Sequence, residues 1–117
     1  GRGGGTMAGV VGQILRGQTV TGRLTAADAR LADNTFFQAW TYYGQAGEMV
    51  TLDVISTDFD AYAVIQDANG NVLLRDGDSG GGLNARLTFT LPYTGAFRLI
   101  ANTQRQGLTG AYTLSVR

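Results

Sequence analysis

Four aspartates and one asparagine, Asp58, Asp60, Asp76, Asp78 and Asn84, border two apolar runs and gather oxygen donors that could do chemistry. Asp76-Gly77-Asp78 sets two carboxylates one residue apart in a glycine-rich stretch that ends at Asn84. A hard cation takes roughly six to eight oxygens, and an acidic glycine loop can fold carboxylates and carbonyls around it. The pattern therefore nominates calcium, with Asp60, Asp76, Asp78 and Asn84 as ligands. It departs from an EF-hand loop, because Gly80 replaces the third side-chain donor and Leu87 stands where a bidentate glutamate belongs. Two of these carboxylates would also meet the formal need of a two-acid hydrolase. The plainer expectation is that Asp and Gly are here to build tight turns.

Other chemistries are closed. With no His and no Cys, zinc sites built on those ligands and imidazole-based general-base schemes are excluded. No lysine stands near Ser56, Ser79 or Ser115 to activate them, and none of the three lies in a Gly-x-Ser-x-Gly elbow. Gly80-Gly81-Gly82 has neither a following lysine nor a helix start, so it makes no phosphate cradle. The expectation is a protein that is not an enzyme. Phe37, Tyr43, Tyr62 and Tyr93 are the aromatics whose strand phase or loop position could turn them outward as a glycan platform, with core packing as the competing expectation.

Nine basic and nine acidic residues balance to a net charge of zero, which predicts no attraction to nucleic acid. No apolar run approaches the roughly 18 residues of a membrane helix, so insertion is not expected. Without cysteines or lysines, neither disulfides nor Lys–Asn isopeptide bonds can staple the fold. The chain begins at Gly1 with no charged-then-apolar leader, as expected of a cleaved or excised piece.

Short strands must position these residues. Gly9 and Gly12 interrupt Met7, Val10, Val11 and Ile14 and would each cost a helix roughly 1 kcal/mol, so an extended segment is expected there. Val20, Gly22 and Leu24 alternate with polar residues, and Phe36–Tyr43 follows as the most aromatic strand. After a turn at Gly44–Glu48, Val50, Leu52 and Val54 alternate again, and these two runs are expected to pair as a hairpin. Phe59–Gln66 reads as a central strand, turning at Asn69-Gly70 through a type I′ turn into Val72–Arg75. Ala85, Leu87, Phe89 and Leu91 alternate until Pro92, Phe97, Leu99 and Ala101 alternate with Arg98 and Ile100, and Tyr112, Leu114 and Val116 close the chain. The pattern predicts an all-β, two-layer antiparallel sandwich, jelly-roll-like, with a glycine-rich extended segment at 1–13 and one domain at 14–117.

Several of these stretches resemble, in order, the bacterial pre-peptidase C-terminal domain family. They are Gly17–Leu24 with Asp28, Phe36–Tyr42, Ala46–Val50, Asp58–Tyr62, Asn69-Gly70, Asp76–Gly81, Leu91–Gly95 and Gly110–Tyr112. The resemblance implies a jelly-roll-like sandwich, noncatalytic and exported, often appended to peptidases, with calcium or an extracellular polymer bound in some members. Gly77 between the two aspartates departs from the adjacent acidic pair often found there.

Two functions follow as expectations. The first is an extracellular assembly subunit that forms a homo-oligomer or filament by strand addition, with Met7, Val10 and Val11 filling apolar pockets of a neighbouring copy. The alternative is a secreted accessory module that tethers protein or polysaccharide and is stabilised by calcium.

Overall fold

Alternating apolar and polar side chains build nine strands among the residues that this computed structural model describes, 9–76 and 84–117. They are β1 (Val10–Gln13), β2 (Thr19–Leu24), β3 (Phe37–Gly44), β4 (Met49–Ile55), β5 (Ala61–Asp67), β6 (Val72–Asp76), β7 (Ala85–Thr90), β8 (Gly95–Thr103) and β9 (Gly110–Val116). One sheet has the order β1-β3-β8-β5-β6 and the other β2-β9-β4-β7. All pairings are antiparallel except β1 with β3. The architecture is the expected all-β sandwich.

Every connection except β5–β6 carries the chain from one sheet to the other. This overturns the hairpin expected of β3 and β4, which lie in different sheets. The Gly44–Glu48 corner is held by the strand end across from it, with Gly47 N donating to Leu91 O and Leu91 N to Glu48 O. Tyr42 and Val50 then face each other through the core instead of side by side.

The β5–β6 hairpin is present, but its turn is not type I′. That turn needs positive φ at two residues, and Asn34 is the sole non-glycine with positive φ among the described residues. Gly70 alone is left-handed here, at φ 89. Gly70 N donates to Asp67 O and Asp67 N to Asn71 O, a three-residue loop closed by a glycine bulge. The Asp67 carboxylate selects it by accepting from the backbone N–H groups of both Asn69 and Asn71.

Between the layers lie Leu24, Tyr42, Leu52, Val54, Ile65, Phe97, Leu99, Leu114 and their neighbours, each large side chain contributing roughly 1.5–3 kcal/mol by burial. A second cluster covers part of the outer face of the five-stranded sheet. Phe37, Ala39, Val64 and Ile100 are buried there, with Val10, Ala29, Leu31 and Tyr62 packed on them. That is why Ile100, which alternates with the inward Phe97, Leu99 and Ala101, is buried too; Arg98 beside it is also buried.

One polar network joins the layers. Tyr112 Oη on β9 donates to Gln38 Oε1 and accepts from Trp40 Nε1 at 3.0 Å, both on β3. Gln38 Nε2 donates onward to Arg23 O and to the Asp28 carboxylate, which itself accepts from Thr25 N. Desolvation pushes the Tyr112 hydroxyl up to about 12. Gly22 on β2 makes room, since a Cβ there would sit 2.3 Å from Tyr112 Oη.

Candidate functional site

Asp60, Asp76 and Asn84 come to one end of the sandwich, on the β4–β5 connection, the last residue of β6 and the residue before β7. Asp78 lies outside the described residues. Ser56 organises this end. Its Oγ donates to Ala111 O and accepts from the N–H groups of Asp58 and Phe59. Asn84 Oδ1 accepts from Ser56 N at 3.3 Å, and Asp58 Oδ2 accepts from Ala111 N at 2.8 Å. Asn84 and Asp58 therefore act as loop builders. Asp60 differs, because its Oδ1 is buried without a hydrogen-bond partner among the described residues. Among the described residues no three acidic side chains gather to hold a metal ion. Those residues alone do not fit a calcium shell of roughly six to eight oxygens.

A concavity with a volume of about 480 Å³ lies beside this end, on the outer face of the five-stranded sheet. This falls within the roughly 300–1,000 Å³ usual for small-ligand sites. Tyr62, Val64 and Gln66 form its floor along β5, because residues two apart share a sheet face. Val72 and Arg75 of β6 line one side; Leu31, Asp33 and Gln104 come from connections on the other. Asn102 uses its Nδ2 on Thr35 Oγ1 and Phe36 O, which leaves Oδ1 as its remaining acceptor. Gln66 Oε1 accepts from Arg98 Nε at 2.8 Å. The Thr35 hydroxyl holds the Asp33 carboxyl below the usual carboxylate range, with smaller contributions from backbone N–H groups and the Arg75 guanidinium.

Of the aromatics nominated from sequence, only Tyr62 lines this groove. Phe37 is buried in the second cluster, and Tyr93 stacks on Phe97 at 4.4 Å while donating to Ala96 O. Tyr43 is 63% exposed at the opposite end. Sequence reading missed Asp33, Gln66, Arg75, Asn102 and Gln104 because separate strands and loops bring them together. The available signal was a polar residue, Gln66 or Asn102, ending an apolar strand run.

The assembly residues fare differently. Met7 lies outside the described residues. Val10 packs on the chain's own second cluster, and β1 pairs in parallel with β3, so Val10–Gln13 belongs to the sandwich itself. Val11 is exposed. Val10–Gln13 is thus an edge strand of the chain's own sheet, with β3 on one side.

The segment after β1 is tied down by the chain's one glutamate. Glu48 accepts from Tyr42 Oη, from Arg16 Nη1 at 2.8 Å and from Gln45 N at 3.0 Å. The Tyr42 hydrogen bond, then Gln45 N–H and Arg16, hold its carboxyl below the usual range. Desolvation, with Glu48 beside it, pushes Tyr42 up to about 12. A lowered carboxylate pKa stabilises the fold above the unfolded value, about 4.3, and that contribution is lost as pH falls through the folded value. Between about pH 5 and pH 3 the melting temperature of Glu48→Gln is expected to fall less than that of the parent in calorimetry. Parallel pH profiles would remove this role from Glu48.

Topology and packing define a two-layer β-sandwich. The chain is similar to the pre-peptidase C-terminal domain of collagenase from Bacillus anthracis, with a TM-score of 0.65 at 18% identity over 94% of each chain. It is also similar to Aeromonas hydrophila PliG, a periplasmic lysozyme inhibitor of g-type lysozyme, with a TM-score of 0.60 at 15% identity, covering 92% of this chain and 96% of that one. At these identities the likeness is one of fold. No family model and no curated protein matches the chain.

Proposed function

We propose that this domain is a noncatalytic accessory binding module that works outside the cytoplasm and holds an extracellular polymer in the groove on its five-stranded sheet. The observation that carries this reading is the groove itself, a floor of Tyr62, Val64 and Gln66 on β5 bordered by Asp33, Arg75 and Gln104. Its residues come from rigid strands as well as loops, which suits a preformed binding surface. The lack of His, Cys and Lys leaves no imidazole, thiol or amine to act as base or nucleophile. Two sandwiches of this fold, a collagenase domain and a periplasmic inhibitor, support a role outside the cytoplasm.

Mapping amide chemical shifts while adding soluble polysaccharides and polypeptides tests the proposal. Shifts are expected at Tyr62, Val72, Arg75 and Gln104. Shifts confined to β2, β4, β7 and β9, or none with either polymer class, would overturn it.

A further inference from the structure

Resting on the reading of this groove as the binding surface, we infer that its ligand is a neutral glycan chain, with Tyr62 as the plate beneath a sugar ring. Three observations point there. The floor strand β5 lies between β8 and β6, so its backbone is already paired on both sides. An extended peptide lying along β5 could add no main-chain ladder to that strand, and such a ladder is what gives strand-binding domains their affinity for peptides. Affinity on this floor must come from side chains.

Besides the Thr103 and Tyr62 hydroxyls, the polar side chains described there are planar amide, carboxylate and guanidinium groups. Among the described residues, Gln104 has no partner for its amide, Asn102 keeps an acceptor, and Asp33 uses only Oδ1, toward Thr35. Such groups present paired donors or acceptors in one plane, a match for the vicinal hydroxyls of a sugar, each both donor and acceptor. Tyr62, Val64 and Val72 supply the apolar surface that the C–H face of a pyranose covers.

The third observation is charge. Among the described residues one cation, Arg75, and one anion, Asp33, line the groove, so these charged side chains sum to zero. Neither a polyanionic nor a polycationic chain gains from such a surface. Hydroxyls, which carry no charge, meet both groups without leaving a repulsive contact.

The test is titration calorimetry of the full chain against neutral polysaccharides (hydroxyethyl cellulose, xylan, glucomannan and laminarin), with alginate as the acidic control and a proline-rich peptide as the polypeptide control. Tyr62→Ala is expected to weaken binding of at least one neutral glycan about tenfold. Because Tyr62 also packs on the second cluster, Gln104→Ala serves as the independent variant and is expected to weaken the same glycan while the melting temperature holds. Binding of alginate or the peptide alone, with shifts still in the groove, would overturn the glycan inference and leave the groove as the binding surface. Absence of groove shifts with all of these polymers would overturn both.

Discussion

Gly22→Ala is expected to be among the more damaging single-methyl changes, lowering stability by about 4 kcal/mol and the melting temperature by roughly 15 °C. The new Cβ would stand 2.3 Å from Tyr112 Oη and 2.5 Å from Cζ, inside van der Waals contact with a fully buried ring. Tyr112 cannot swing aside without abandoning Gln38 and Trp40, whose polar atoms would then lack partners between the layers. Overpacking and lost hydrogen bonds therefore act together. Tyr112→Phe removes the nearest clashing atom, so in the Gly22→Ala, Tyr112→Phe double variant the combined loss should be smaller than the sum of the single losses. Strict additivity by thermal unfolding would show that the clash is relieved elsewhere.

Ser56→Ala is the second large effect, at about 3 kcal/mol and roughly 10 °C. Removing one oxygen withdraws a donor from Ala111 O and the acceptor from the N–H groups of Asp58 and Phe59 at once. Ser56 is 5% exposed, so water does not readily replace it. Ser115→Ala is the matched control. Its hydroxyl meets only Thr19 Oγ1 on the partly exposed face of β9, and its loss should change stability by no more than about 0.5 kcal/mol. Equal melting temperatures for the two variants would refute the view of Ser56 as the organiser of this end.

Much of the architecture was legible because strand alternation is a local signal. Ala85, Leu87, Tyr112, Leu114 and Val116 are buried as their phase demands. The pairing of β3 was not, because a five-residue corner reads alike whether it folds a hairpin or crosses between sheets. Nor was the turn at Gly70, where the Asp67 side chain, and not the Asn-Gly pair, selects the geometry. The nominated ligands illustrate the same limit: acidic spacing nominated Asp76 and Asp78, with Asp60 and Asn84 beside them, but only coordinates separate the Asn84 oxygen accepting from Ser56 N from the Asp60 oxygen that has no partner among the described residues. The groove was least legible, since Asp33, Tyr62, Arg75 and Gln104 share no segment, and Tyr62 alone carried an individual hint.

The repeated crossing of the chain between layers bears on how the molecule comes into being. With a single local hairpin at β5–β6, nearly every strand must find a partner far along the polypeptide. Loop-closure entropy is spent before those distant contacts return it, which places folding toward the slow, milliseconds-to-seconds end for small domains. Neither layer is a viable half-product, since each alone would leave its apolar side in water. Maturation should then be all-or-none, and a nascent chain stays vulnerable until β9 arrives to complete the four-stranded layer between β2 and β4.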